Sequence, residues 1–344
     1  MLKLTFEQIQ SISLGAVRSL NLDGGVRLCR FTEEQEEIYR KEGKVHFEQL
    51  YATAGIKMYF ETDSRFLFLK VNVMPVTSIR TYFSFDVAVD GRLVGGLDNY
   101  SDVTLPENYT QTPLPFGEFD KRFDLGEGTK KVCIYMPWSM VVEIRELSLD
   151  DAALIKPIKP TKKLLVYGDS ISQGFDGLRP SKHYAVRLAE ALDAEQINKG
   201  MGGESFFPAL AKARDDFEPD YITVAYGTND WSSSSEEDFK SRCRAFYESL
   251  SKNYPEARIF AITPIWRKDC MEEKTFGDFY KVAEDIKSIV KDYKNITYIY
   301  GFEFIPQDEN YYADLRLHPN DKGFDSYFSN LYEQIVGSSC KKEV

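Results

Sequence analysis

The chain has 344 residues, with 43 Lys+Arg against 54 Asp+Glu and a formal net charge of −11, enough for about two domains that each bury a core. That acidic balance repels phosphate backbones and anionic lipid, so nucleic-acid and membrane-surface partners are not expected. A hydrophobic fraction of 43% with 14% aromatics excludes a disordered chain. In chain order, the first 150 residues read as β structure. Short aromatic and β-branched runs at 57–61, 65–73, 82–89, 132–136 and 143–149 are separated by turn signals such as Asp90-Gly91 and Gly126-Glu127-Gly128. This pattern predicts an antiparallel β-sandwich, jelly-roll-like, over residues 1–155. A Pro- and Lys-rich stretch at 156–163 reads as a linker. Beyond it, over 164–344, strands at 164–167, 221–225, 259–262 and 297–300 alternate with helices at 184–192, 236–252, 279–291 and 322–335. Strand–helix alternation of this kind predicts an α/β domain with a parallel sheet covered by helices on both faces.

Nothing at the N-terminus has the continuous apolar core of a signal peptide, and no window reaches the ~20 apolar residues that span a bilayer. A cytoplasmic location is the expectation. The five cysteines are odd in number and unpatterned, so they read as reduced thiols.

Only three histidines are present, His46, His183 and His318, and any imidazole chemistry must choose among them. His46 lies between Val45 and Phe47 and reads as a half-buried strand residue. His183 reads as an exposed residue on the first turn of a helix. His318 sits in Asp314-Leu315-Arg316-Leu317-His318-Pro319-Asn320, a loop before the last helix. Three other segments fall where strands of the second domain should end: Gly168-Asp169-Ser170, Gly200-Met201-Gly202-Gly203, and Gly227-Thr228-Asn229-Asp230. A serine at a tight strand-to-loop turn can present its hydroxyl beyond the sheet. Clustered glycines let backbone amides approach a ligand, and a carboxamide can donate into the same space. Acyl transfer needs these parts: a hydroxyl activated by a base, and donors aimed at the developing oxyanion. Ser170 as nucleophile, His318 as base, and the Ser170 amide, the Gly203 amide and the Asn229 side chain as oxyanion donors make a complete set.

In these four segments the chain resembles the SGNH hydrolases, the GDSL-type esterases. Gly168-Asp169-Ser170 matches the nucleophile block, Gly203 the glycine block, Gly227-Thr228-Asn229-Asp230 the asparagine block and His318-Pro319-Asn320 the histidine block, in the family's order. The resemblance implies a flavodoxin-like three-layer α/β domain and ester hydrolysis through an acyl-serine. An N-terminal β-sandwich is similar to that of two-domain carbohydrate esterases, which implies removal of short acyl groups, acetyl above all, from saccharides. In one position the chain departs from the family. The aspartate usually three residues before the histidine is replaced by Leu315, and Asp314 lies one residue further away. Asp314 can still orient His318 if the loop bulges; otherwise a backbone carbonyl or another acid does so.

The remaining features have plainer readings. Asp169 is expected to hold nearby backbone. Trp231 and Trp266 follow predicted strand ends and are either sugar-stacking platforms or packing residues. There is no HExxH, calcium-loop spacing or GxGxxG motif, so neither a metal nor a cofactor is expected. The expected partner is an acylated small molecule or oligosaccharide. Two other readings stay open: a carbohydrate-binding protein with a decayed esterase domain, and an esterase or thioesterase for lipid-like acyl carriers.

Overall fold

The computed structural model describes residues 1–43, 47–77 and 79–340, without the side chains of 338–340; the His46 assignment therefore lies outside the described residues. Among the described residues, nine strands of five residues or more build the first domain: Arg18–Leu22 (β1), Gly25–Cys29 (β2), Lys57–Thr62 (β3), Phe66–Pro75 (β4), Ser84–Val89 (β5), Arg92–Asp98 (β6), Gly117–Asp124 (β7), Lys130–Tyr135 (β8) and Met140–Leu149 (β9), with two-residue strands added at the sheet margins. They form two antiparallel sheets, ordered β1-β2-β9-β4-β7 and β3-β8-β5-β6. Strict alternation in β4 turns Leu67, Leu69, Val71 and Val73 inward, against Met58, Phe60, Phe85, Val87, Val132 and Ile134 of the facing sheet. Interdigitated inner faces of this kind make a sandwich core. Asp90 and Gly91, at φ 47° and 78°, form the tight turn between β5 and β6, the Asp-Gly pairing that suits a two-residue hairpin.

The all-β expectation for the first 150 residues misses two helices, Phe6–Ile12 and Glu33–Lys41. Each starts at a threonine whose side chain and a glutamine three residues on cap one another, Thr5 with Gln8 and Thr32 with Gln35. Those capping boxes were the sequence signal for them.

The second domain has a five-stranded parallel sheet. Its strands are Lys162–Gly168 (β10), Ala194–Asn198 (β11), Tyr221–Ala225 (β12), Arg258–Ile262 (β13) and Ile296–Ile299 (β14), in the order β11-β10-β12-β13-β14. This is the flavodoxin-like order, which reverses direction beside β10 and opens a crevice at the strands' carboxyl ends. Tyr184–Ala191 and Asp321–Cys340 cover one face; Glu236–Asn253 and Tyr280–Val290 cover the other. β11 escapes the sequence reading because its AEQIN run carries little apolar pattern. It is an edge strand covered by the first domain, where the Gly15 amide donates to Glu195 Oε1 at 2.9 Å. Within 156–163, Lys156 and Pro157 pair with β3, and Lys162 already opens β10.

Among the described residues no helix is long and apolar enough to cross a membrane. Cys29, Cys133, Cys243 and Cys270 are buried and free of disulfides.

Candidate active site

Ser170 opens a four-residue helical turn, Ser170–Gln173, directly beyond β10. Asp169 caps it, its carboxylate accepting from the Ile171 amide at 2.9 Å, and Gly174 closes it at φ 112°. Gly168 permits the turn: a Cβ there would sit 2.0 Å from Ser172 Oγ and 2.9 Å from Ala225 O. Burial pushes the Asp169 carboxyl up to about 7, against the pull of the Ile171 amide and His318.

His318 Nε2 lies 2.9 Å from Ser170 Oγ, and its Nδ1 lies 2.8 Å from Asp314 Oδ2. The second distance depends on Leu315, which adopts φ 56°, a left-handed conformation rare for a branched residue. The backbone bulge lets Asp314 fold back over its own loop. Its Oδ1 then accepts from the amides of Arg316, Leu317 and His318 at 3.0, 2.7 and 3.0 Å. Burial alone would raise the Asp314 carboxyl; the hydrogen bond and charge of His318, with those amides, hold it well below the usual carboxylate range.

The oxyanion candidates gather beside the serine. Gly200 follows β11, and a Cβ there would meet Gln173 N at 2.5 Å and Ser172 C at 2.7 Å, so the glycine loop rests directly on the nucleophile turn. The Gly202 amide is taken by Gln49 Oε1 and Gln173 Oε1, both at 2.8 Å. Gly203 comes next at φ 76° and lines the cavity. Asn229 Nδ2 donates to Glu204 O at 2.9 Å, which ties the third block to the second and leaves the amide group one further N–H. Ser170, Gly203, Asn229 and His318 all line one open cavity of about 520 Å³.

The first domain supplies much of that cavity's wall through Gln49, Val76, Thr77, Ile79 and Arg80. Sequence reasoning assigned none of these. It also missed Asp176, a fully buried residue whose Oδ2 lies 3.2 Å from His318 Nδ1. Asp176, Asp314 and His318 form the one group of His and acidic side chains among the described residues with metal-ligand spacing. Their atoms are engaged with one another, with Ser170 and with Arg80, which is a hydrogen-bonded arrangement that leaves no ligand set spare.

Two expectations are corrected. His183 is buried, not exposed: its ring packs against Tyr184 and Phe324 at 4.9 and 4.8 Å, and Nε2 contacts Ile171 O at 2.9 Å. Burial lowers its pKa to about 4. Trp231 is not a sugar platform. It is 0% exposed, packs on Phe279, and donates from Nε1 to Gly277 O at 2.8 Å. The helix that carries Asn229 turns it into the core. Trp266 is half-buried against Tyr312, between the two cores that flank the sheet, and is not part of the cavity wall.

Residues 166–325 match the model of the GDSL-like Lipase/Acylhydrolase family. No curated protein matches the sequence. Among solved structures, the chain is similar to the salicylyl-acyltransferase SsfX3 from a tetracycline biosynthetic pathway, with TM-score 0.77 and 18% identity over 95% of this chain and 94% of that one. A putative GDSL-like lipase from Bacteroides ovatus gives 0.75 and 20% over 99% and 98%. A family two carbohydrate esterase from Clostridium thermocellum, solved with cellohexaose, gives 0.65 and 15% over 95% and 98%. At these identities the likeness is one of fold, and it extends over both domains.

Proposed function

We propose that the protein is a serine esterase of the SGNH type that removes a short acyl group, acetyl first, from a carbohydrate, with the match of residues 166–325 to the GDSL-like Lipase/Acylhydrolase model as the premise. The observation that carries the reading is the line Ser170 Oγ, His318, Asp314, closed by contacts of 2.9 and 2.8 Å. Nε2 takes the Ser170 proton as Oγ attacks the ester carbonyl, and Asp314 holds the other nitrogen as the donor. The tetrahedral oxyanion is received by the amides of Ser170 and Gly203 and by Asn229 Nδ2, each worth about 3 kcal/mol to the transition state. His318 then protonates the departing sugar oxygen, leaving an acyl-Ser170. Water, deprotonated at the same Nε2, attacks that ester, and the carboxylic acid leaves as Oγ regains its proton.

A cavity of about 520 Å³ is far larger than an acetyl group needs. Its lining mixes Val76, Ile79, Phe175 and Leu317 with Gln49, Thr77, Arg80, Asn229 and Arg316, and these polar groups suit a hydroxylated carrier. The carbohydrate esterases of like fold support the same carrier class. The test is hydrolysis of p-nitrophenyl acetate, p-nitrophenyl octanoate and an acetylated xylo-oligosaccharide by wild type and Ser170→Ala. Acetyl ester and oligosaccharide turnover lost in Ser170→Ala is the expected result. Equal rates in the two proteins refute the nucleophile, and preference for octanoate refutes the short acyl group. Sugar binding without turnover by wild type would favour the binding-protein reading.

A further inference from the structure

Two carboxylates face His318 Nδ1, although orienting an imidazole needs only one. Asp314 Oδ2 lies 2.8 Å away and Asp176 Oδ2 3.2 Å away. Asp176 stands three residues beyond the nucleophile turn at φ 71°, fully buried. What keeps it there comes from the other domain. Arg80 Nε donates to Oδ1 at 2.7 Å and Arg80 Nη2 to Oδ2 at 3.0 Å, while the Tyr82 hydroxyl donates to Oδ1. The Tyr109 hydroxyl takes the Asp176 carbonyl, and Trp138 Nε1 donates to Gly177 O at 2.8 Å. Four side chains of the sandwich domain thus hold two consecutive residues of the catalytic domain.

A pair that merely glued the domains could place its carboxylate anywhere along their boundary. Here the oxygen that accepts Arg80 Nη2 is the one that faces the ring nitrogen. The charges are consistent with this placement. The Arg80 guanidinium, half stacked at 5.1 Å over the Phe175 ring, compensates the added negative charge. Phe175 lies in turn 5.7 Å from the His318 ring.

We infer that Asp176 is a second positioning residue for His318, aimed by Arg80 and Tyr82 of the β-sandwich domain, so that the first domain completes the catalytic apparatus as well as walling the cavity. The inference rests on the reading of His318 as the base of the proposed esterase. In the attacking step Nε2 gains the Ser170 proton, and the Nδ1–H of the resulting cation bonds Asp314 while the Asp176 carboxylate, with Arg80 behind it, lies 3.2 Å from the same nitrogen. Asp176 itself neither gains nor loses a proton in the cycle.

The test uses the full-length protein and two readouts. One is kcat and KM on p-nitrophenyl acetate for Asp176→Asn and Tyr82→Phe. The other is the low-field proton resonance of the His318 Nδ1–H, assigned by its loss in His318→Gln. Asp176→Asn is expected to lower kcat about 10- to 100-fold with KM within about twofold, as loss of a group behind a catalytic ligand does, and to move the resonance. Tyr82→Phe removes one hydroxyl from a packed ring and is expected to do both to a smaller degree, which keeps the inference testable if Asp176→Asn folds poorly. A resonance and kcat unchanged in a folded Asp176→Asn, or in Tyr82→Phe if it alone folds, would overturn the inference while leaving the esterase reading intact. Absence of any Ser170-dependent turnover in wild type would instead overturn the esterase reading. A resonance that still moved with Asp176 and Tyr82 would then uphold the contact to His318.

Discussion

Replacing Asp314 by asparagine reverses one hydrogen bond and leaves the rest of its loop in place. The three amides of Arg316, Leu317 and His318 require an acceptor, so the Asn oxygen stays with them and its NH₂ takes the place of Oδ2, 2.8 Å from Nδ1. A donor there forces Nδ1 to give up its proton. The neutral ring then carries the proton on Nε2, the atom 2.9 Å from Ser170 Oγ, and cannot accept another. In a serine triad this tautomer error lowers kcat about 10⁴-fold, which is roughly 5.4 kcal/mol at about 1.36 kcal/mol per decade. Asp314→Ala removes the obstacle along with the acid. The ring keeps its working tautomer, with Asp176 still 3.2 Å from Nδ1, and loses one charge-assisted bond of about 1.5–3 kcal/mol, or roughly 10- to 100-fold. The conservative change is therefore expected to be the worse one, by about two orders of magnitude. The assay is p-nitrophenyl acetate turnover, each variant normalised to its folded fraction from urea melts, because alanine also deprives three backbone amides of their acceptor. An asparagine variant as active as the alanine variant, or more so, would refute the tautomer argument.

Arg30→Met is expected to destabilise the protein by about 3 kcal/mol or more by urea denaturation. The buried guanidinium donates to Ala52 O, Gln49 O, Asn198 O and Gly200 O at 2.6–2.9 Å, and since Gly200 opens the glycine loop and Asn198 ends the strand that leads into it, kcat should fall with stability; a variant as stable as wild type contradicts this. Gly200→Ala should cost about 1–3 kcal/mol by overpacking and lower kcat by pushing the oxyanion loop off the nucleophile turn, where a Cβ would lie 2.5 Å from Gln173 N; unchanged turnover would show that the loop is not seated there. His183, with its folded pKa lowered from 6.5 to about 4, is protonated first in the unfolded chain. Its share of stability is present above about pH 6.5 and is lost as pH falls toward 4, roughly 2 kcal/mol by pH 5. Asp169, raised to about 7, has the opposite slope, because the fold favours its protonated form between about pH 4 and 7. Comparing urea melts of wild type and His183→Gln isolates the first term: wild type should lose that much relative to the variant between pH 7 and 5, and parallel curves would refute it.

The parts of the site that lie next to one another in the chain were legible. Ser170 with its preceding Gly168 and Asn229 each follow a strand whose apolar run is visible, and the carboxyl ends of parallel strands converge wherever the sheet goes; the glycine cluster was legible from its composition alone, since β11 before it carries little apolar pattern. Leu315 was legible as a departure, but its φ of 56°, which lets Asp314 reach His318 Nδ1, was not. A left-handed leucine has no sequence signal and is set by the Asp314 oxygen gathering three amides. Trp231 was misread as a possible platform because the strand's end was visible and the direction of the following helix was not.

By itself the sequence determined the alternation of strands and helices in the second domain and the residue types at the ends of its visible strands, since residue type and apolar periodicity are local properties. Only the tertiary structure decided what surrounds the base. Arg80 and Asp176 are 96 positions apart, and Ser170 and His318 are 148 apart. No periodicity relates such pairs. Ser170 and His318 meet inside the α/β domain, where the turn beyond β10 faces the loop before the last helix, and Arg80 meets Asp176 because the sandwich packs against that turn, with Phe31, Tyr39 and Leu50 joining the α/β core. That packing puts one domain's arginine behind the other's aspartate, and adds Gln49, Val76, Thr77, Ile79 and Arg80 to the wall of the cavity beside Ser170.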